Sequence, residues 1–142
     1  MPKMIFVNLP VRNLERSVGF YEAIGCTKDA RFSNDQAAMM VWSDTISFML
    51  LTHGFYKGFT SKTIADAHTT SQVLLALSFD SRAEVDAIVA AALGAGGREL
   101  HEPEDLGFMY SRAFEDPDGH GFGPLWMDVD AAVAAMPQNE AA

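Results

Sequence analysis

The spacing of apolar residues predicts alternating strands and helices in the first half of the chain. Residues 5–9 form a short apolar run of strand length. Asn13 follows as a suitable N-cap, and apolar side chains then recur at helical spacing over residues 14–21. Two further apolar runs, 36–42 and 45–52, are separated by a short polar turn, which predicts a hairpin.

The second half of the chain repeats this order. Residues 73–79 form an apolar run, and Ser81 with Glu84 makes a capping box at the start of an amphipathic helix. The Asp-Pro-Asp-Gly sequence at 116–119 is a strong turn signal. Three strands are predicted after the helix, over residues 97–100, 108–115 and 120–127.

Each half therefore predicts one βαβββ unit, and we expect a single α+β domain over residues 1–142. Unit one spans about residues 4–52 and unit two about residues 73–128. Between them, residues 53–72 show no sustained period and predict a long loop. The alanine-rich tail, residues 129–142, predicts a short helix or a frayed end.

Composition and charge restrict the possible partners. Apolar residues make up 49% of the chain, which is typical of a globular protein. The 19 acidic and 10 basic residues give a formal charge of −9. Because such a field repels phosphate backbones and anionic membrane surfaces, we expect no nucleic-acid and no membrane partner.

Cysteine content and hydropathy predict a cytoplasmic protein. Cys26 is the single cysteine, so the chain forms no internal disulfide, as expected in a reducing compartment. The first apolar run is too short for a signal peptide. No apolar stretch approaches the roughly 20 residues of a membrane span.

Two segments carry a resemblance to a known family. The first is LPVRNLERSVGFY at residues 9–21, and the second is FEDPDGH at residues 114–120. Together they resemble the glyoxalase/bleomycin-resistance/dioxygenase group, the vicinal-oxygen-chelate superfamily. The likeness runs from Met4 to Asp128 and is greatest to the subset related to lactoylglutathione lyase.

This resemblance implies both an architecture and a site. Each βαβββ unit would curl into a half-barrel of mixed sheet around a ligand cavity, and the protein would form a homodimer. Enzymes of the superfamily hold a divalent metal with His, Glu or Gln from the first and fourth strands of each unit. The matching positions here are Phe6, Leu50, Leu74 and Gly123.

None of these four residues can bind such a metal. Hard and borderline cations take carboxylate oxygen or imidazole nitrogen as ligands. A shift of one residue in the register supplies neither, because the neighbours are Ile5, Val7, Met49, Leu51, Val73, Leu75, Phe122 and Pro124. We therefore expect a protein with no metal and no other cofactor.

Strand alternation predicts which side chains line the cavity. Tyr110 and Arg112 share one face of their strand. If that face is the inner one, Arg112 would anchor an anionic group and Tyr110 would supply a hydroxyl and a stacking surface. Otherwise both belong to a core strand. The expected inner-face pairs are Phe6 with Asn8, Phe48 with Leu50, Leu74 with Ala76, and Gly121 with Gly123.

The other reactive side chains predict little chemistry. His68, in the long loop, is the strongest further candidate for a functional residue, although the simpler interpretation is that it belongs to a solvated polar loop. His120 is better placed to support the hairpin than to act in catalysis. Cys26 follows a helix C-terminus, the wrong end of the dipole for a reactive thiolate, so we expect a buried filler. Asp116 and Asp118 are interpreted as turn residues.

Two classes of function remain open. The first is metal-free binding or sequestration of a small hydrophobic or aromatic molecule in an apolar cavity. The alternative is an enzyme of the same superfamily, a lyase or isomerase similar to lactoylglutathione lyase or a dioxygenase, which uses non-standard ligands. A fold that serves only for dimerisation is a third option. The apolar residues at the metal positions favour binding over metal catalysis.

Overall fold

The computed structural model describes residues 2–137 and arranges their strands in two sheets. The first half contains β1 (Ile5–Val11), α1 (Leu14–Ala23), β2 (Thr27–Asp29), a 3-10 turn (Ala30–Phe32), β3 (Ala37–Val41) and β4 (Ile46–Thr52). The second half contains β5 (Leu74–Phe79), α3 (Arg82–Gly94), β6 (Arg98–Glu99), β7 (Glu104–Asp105), β8 (Met109–Ser111), β9 (Phe114–Glu115), β10 (Gly121–Met127) and α4 (Val129–Ala135). The short helix α2 (His53–Tyr56) lies between the halves.

The strand order confirms the predicted repeat. In the first sheet the order is β1-β4-β3-β2, with β1 parallel to β4 and the other pairs antiparallel. In the second sheet β5 is parallel to β10, and β8 and β9 lie on the other side of β10. β6 pairs with β9, and β7 pairs with β8. The two strands predicted between α3 and β10 are therefore each broken into two short pieces, β6 with β7 and β8 with β9.

Both main helices begin where the sequence predicts. Asn13 Oδ1 accepts the backbone N–H of Arg16 at 3.0 Å, as an N-cap does. Ser81 Oγ accepts the N–H of Glu84 at 3.2 Å, and the Glu84 carboxylate reaches back to the N–H of Asp80 at 2.8 Å. This reciprocal arrangement is a capping box whose return bond ends one residue earlier than usual.

The long loop contains one short helix that the sequence did not predict, whereas the tail forms a short helix as one of its two predicted alternatives. Residues 53–72 begin with α2 and continue through turns. The tail forms α4, and the part of the predicted tail over 138–142 lies outside the described residues. Within residues 2–137, no helix combines the length and the apolar character that a membrane span requires.

One hydrophobic core joins the two units. The ring centroids of Tyr21, Phe48 and Phe122 lie 5.6–6.0 Å apart. Phe20 packs against Phe114 at 6.2 Å. Because these rings come from α1 and β4 of unit one and from β9 and β10 of unit two, each unit is buried against the other rather than alone.

Candidate functional site

The first sheet packs one face on the shared core and leaves part of the other face exposed. Strand pairing places Phe6 beside Ser47, and Asn8 beside Met49, which in turn lies beside Met39. Directly paired side chains lie on the same face of a sheet. We call this surface the open face of unit one, and its residues are Phe6, Asn8, Met39, Ser47 and Met49.

Phe48 and Leu50 lie on the opposite, core-facing side of β4. The sequence predicted them on the cavity face, so the predicted alternation of this strand was displaced by one residue. Both are at most 1% exposed, and the Phe48 ring packs against α1. β4 is a central strand with apolar residues on both faces, so its hydrophobic pattern did not distinguish them. The open-face neighbours of Leu50 are Met49 and Leu51, which offer no oxygen or nitrogen ligand.

The second sheet has a corresponding open face. Pairing places Leu74 beside Gly121 and Ala76 beside Gly123, so these four residues share one face of the sheet. Leu74 is 70% exposed, so the described chain provides no wall opposite it. We call this surface the open face of unit two, and its residues are Leu74, Ala76, Ser78, Gly121, Gly123 and Leu125.

Tyr110 and Arg112 contact α3, so they lie on the helix side of their strand and the condition set for their binding role is not met. Tyr110 Oη donates to Asp86 Oδ1 at 2.7 Å, and Arg112 Nη1 donates to the same oxygen at 2.9 Å. Arg112 also donates to Glu99 through Nε and Nη2, at 3.1 and 2.7 Å. The hydrogen bond from Tyr110 lowers the pKa of Asp86, which keeps this outer network charged.

The open faces do not offer the donor set that a divalent metal needs. Two carboxylates lie on the flanking strands of these faces, Asp29 beside Met39 and Glu115 beside Gly121. Each is already bound by an arginine, Asp29 by Arg31 and Glu115 by Arg98. Across residues 2–137, no three His, Cys, Asp or Glu side chains meet in an arrangement that could hold a metal ion. These surfaces are therefore suited to apolar contacts rather than to metal coordination.

Ser47 carries a buried hydroxyl that lacks a hydrogen-bond partner within the described chain. The residue is 1% exposed, and its Oγ has no donor or acceptor within reach. Buried polar atoms are nearly always hydrogen-bonded, because an unsatisfied one costs about 1–3 kcal/mol. The chain itself therefore covers this hydroxyl on the open face of unit one without satisfying it.

The turn after β9 connects the two units through a buried carboxylate. Asp116 is 1% exposed, and its Oδ2 accepts the phenolic hydroxyl of Tyr21 at 2.8 Å. Its Oδ1 accepts the backbone N–H groups of Asp118 and His120, both at 2.9 Å. Burial raises the pKa of Asp116, and burial followed by the charge of Asp116 raises the pKa of Tyr21 well above its usual value.

Asp118 and His120 extend this connection. Asp118 accepts the backbone N–H of Arg12 at 2.9 Å and the hydroxyl of Ser17 at 3.2 Å. His120 Nε2 donates to the carbonyl oxygen of Pro10 at 2.8 Å. We call Asp116, Asp118 and His120 the inter-unit clamp. Sequence reasoning identified the turn but missed the clamp, because the partners lie 95–110 residues away and leave no local signal.

His68 and Cys26 have structural positions. His68 Nε2 donates to the carbonyl oxygen of Pro117 at 3.1 Å, and its Nδ1 lies 3.5 Å from Glu115 Oε1. This residue therefore attaches the long loop to the turn at the clamp, although its side chain remains exposed to solvent. Cys26 is buried, and burial raises the pKa of its thiol to about 12, so the unreactive thiol form predominates at neutral pH.

Two βαβββ units with curled sheets and open apolar faces define the class of this protein. The family model of the Glyoxalase/Bleomycin resistance protein/Dioxygenase superfamily matches residues 3–123. The chain belongs to this superfamily, as the motifs at 9–21 and 114–120 indicated. No curated protein sequence matches the chain.

Solved structures support the fold. The hypothetical protein SA1046 from S. aureus is 25% identical, with a TM-score of 0.75, over 89% of this chain and 94% of that one. A glyoxalase/bleomycin resistance protein/dioxygenase family enzyme from Burkholderia phytofirmans is 18% identical, with a TM-score of 0.73, over 89% and 99% of the chains. The fosfomycin resistance protein FosX from Mesorhizobium loti is 16% identical, with a TM-score of 0.68, over 94% and 98%.

Proposed function

We propose that the chain binds a small hydrophobic or aromatic molecule on its open faces and does so without a metal ion. The observation that carries this proposal is the exposure of large apolar side chains on both open faces, since Phe6 is 46% exposed and Leu74 is 70% exposed. Phe6 and Met49 of unit one and Leu74 of unit two would supply apolar contacts, and the exposed amide of Asn8 would offer a polar group beside them. Such a combination of apolar walls with few polar groups is typical of small-molecule sites.

We also propose that a second copy of the chain supplies the wall that the open faces lack. Phe6 is 46% exposed and Leu74 is 70% exposed. The residues that precede or begin the same strands are also exposed and apolar, namely Met4, Ile5 and Val73. Exposed apolar surface of this kind is typical of protein interfaces. A homodimer would cover it and would shelter a bound apolar molecule from water.

A thermal-shift screen with hydrophobic and aromatic compounds tests the binding site. A ligand at a hundredfold excess over its Kd stabilises the folded state by about 2.7 kcal/mol. Leu74→Glu should abolish the shift, because it places a carboxylate where the ligand would bind. Since Leu74 is exposed in the single chain, its substitution should change the unfolding free energy of the isolated chain by no more than about 0.5 kcal/mol.

Leu93→Glu is the matched control for this screen. Leu93 is also exposed, at 42%, but it lies on α3, away from both open faces. The control variant should retain the shift of the unsubstituted protein. Compounds that stabilise both variants equally would contradict the proposed site.

A further inference from the structure

A cleft of about 540 Å³ lies beyond the ends of β1 and β4. Val11 and Thr52 are the last paired residues of these strands, so Arg12 and His53 leave the sheet side by side. The residues that follow α2 complete the lining. The cleft is lined by Arg12, His53, Lys57, Thr60, Ser61, Lys62, Thr63 and Ile64. None of these residues belongs to an open face.

The charge of this cleft is opposite to that of the molecule. The formal charge of the whole chain is −9, yet residues 45–65 contain no Asp and no Glu. Arg12, Lys57 and Lys62 bring three cationic side chains to the lining. The cleft is therefore a local positive region on an acidic protein, where an anion would be attracted and concentrated.

Most other cationic groups are already engaged by carboxylates. The chain has 10 Lys and Arg residues, and the structure shows ion pairs for Arg16, Arg31, Arg82, Arg98 and Arg112. In the part of the chain that the structure describes, no ion pair forms at Lys3, Arg12, Lys28, Lys57 or Lys62. Three of these five residues line one cleft, which leaves their charges available to a ligand.

The backbone of the cleft is held in place, while its polar side chains can donate hydrogen bonds. The backbone N–H of Arg12 donates to Asp118 Oδ1 at 2.9 Å. This bond anchors the backbone of Arg12 and does not involve its guanidinium group. Thr60 Oγ1 accepts the N–H of Lys62 at 3.1 Å, so the hydroxyl proton of Thr60 can still be donated. Ser61 and Thr63 add two further hydroxyls.

We propose that this cleft binds a small molecule that carries a phosphoryl group. Several cations and hydroxyl donors around one volume match a tetrahedral dianion, whose oxygens accept charge-assisted hydrogen bonds from several directions. A carboxylate needs fewer partners. The volume suits a small ligand, since ligand pockets measure about 300–1,000 Å³. This site goes beyond the apolar ligand proposed for the open faces and does not depend on it.

Titration with inorganic phosphate, followed by two-dimensional NMR at constant ionic strength, tests the proposal. The expected result is a saturable shift of backbone amides that is centred on Arg12 and residues 57–64. Sodium chloride and sodium acetate at the same ionic strength should give no saturable shift. Equal shifts with chloride or acetate would overturn the proposal, because they would indicate charge screening or general anion binding.

Charge-removing variants connect the shift to the cleft. Lys57→Gln with Lys62→Gln in one chain should raise the Kd for phosphate about tenfold or more. Lys3→Gln with Lys28→Gln removes the same two charges outside the cleft and should change the Kd less than twofold. An equal effect of the control would overturn the proposal. Preserved dispersion of the amide spectrum shows that each variant is folded.

A titration with glycerol 3-phosphate separates the two sources of a phosphoryl group. Tighter binding than that of inorganic phosphate would identify a phosphate ester as the ligand. Equal binding would identify the free ion. Both results support the site, whereas the absence of a saturable shift with either compound would overturn it.

Discussion

Two buried serines in this protein have hydroxyls in opposite situations. Ser17 is fully buried on α1 and donates its hydroxyl to Asp118 Oδ2 at 3.2 Å. Ser47 is 1% exposed on β4, and its hydroxyl has no partner among the described residues. The first hydroxyl supports the fold, whereas the second carries a desolvation cost that no hydrogen bond within the described chain offsets.

Ser47→Ala should therefore leave the stability unchanged or increase it by up to about 1 kcal/mol, because it removes an unsatisfied buried hydroxyl. Ser17→Ala, the matched control, should cost about 1–3 kcal/mol, because it leaves an oxygen of Asp118 without a donor. Urea unfolding at pH 7 measures both changes. An equal loss in the two variants would show that Ser47 also has a partner in the folded chain.

Tyr21→Phe should destabilise the protein by about 1–3 kcal/mol at pH 7, since it leaves Oδ2 of the buried Asp116 without its donor. Tyr110→Phe is the control, because the hydroxyl of Tyr110 bonds a more exposed carboxylate, that of Asp86. The control should cost less than half as much. Urea unfolding checks the difference, and equal costs would contradict the role given to the clamp.

The cost of Tyr21→Phe should also depend on pH. Burial raises the pKa of Asp116 above its ordinary 3.8, so the folded state favours the protonated carboxyl. The stability that the Asp116 carboxyl contributes is fully present below pH 3.8 and decreases as the pH rises through the higher pKa of the folded state. Because the hydroxyl of Tyr21 stabilises the charged carboxylate, its removal should cost more at pH 7 than at pH 4.

At the scale of elements, the turn at 116–119 holds parts of the chain that are distant in sequence. Gly119 has a φ of +93°, and an added Cβ would lie 2.6 Å from the backbone nitrogen of His68. Glycine is thus required both by the turn and by the close approach of the long loop. The same turn carries Asp116 and Asp118, which bind unit one.

Gly119→Ala should destabilise the protein more than Gly107→Ala does. Gly107 also has a positive φ, +82°, but its added Cβ would meet no atom within 4 Å. The control should cost about 1–2 kcal/mol from backbone conformation alone. The excess cost of Gly119→Ala in urea unfolding measures the contact with the loop, and equal costs would show that the loop moves aside freely.

The order of the elements was predictable from the sequence because the signals are local. The N-cap Asn13 and the capping box at Ser81 each lie within a few residues of the helix that they start. The faces of the later strands were harder to predict. β4 is apolar on both sides, so alternation gave the wrong face for Phe48. The strand predicted over residues 108–115 is broken between β8 and β9, so alternation did not decide the face of Tyr110.

Only part of the candidate site was predictable, because the rest depends on parts of the chain that meet only in the folded protein. Phe6 and Leu74 were placed on open faces because each belongs to the first strand of its unit, where the two repeats can be aligned. The free hydroxyl of Ser47 was not predictable, because an unsatisfied group is defined by the absence of partners in three dimensions. The cleft at Arg12 likewise depends on two strand ends that meet only in the folded sheet.

At the scale of the whole molecule, we expect a homodimer. Light scattering at micromolar concentration should give twice the 15.5 kDa mass of one chain. The melting temperature should also rise with protein concentration, because association stabilises the folded state by mass action. A mass near 15.5 kDa across this range, with a constant melting temperature, would contradict the proposal that a second copy covers the open faces.

The most direct test of the central claim is an NMR titration of the protein with the best compound from the screen, in the presence of excess EDTA. If the open faces bind an apolar ligand without a metal, the amide signals of Phe6, Ser47 and Met49 should shift saturably although every free divalent ion is chelated. Shifts that occur only when a divalent metal replaces the EDTA, or that leave these three residues unchanged, would contradict the account.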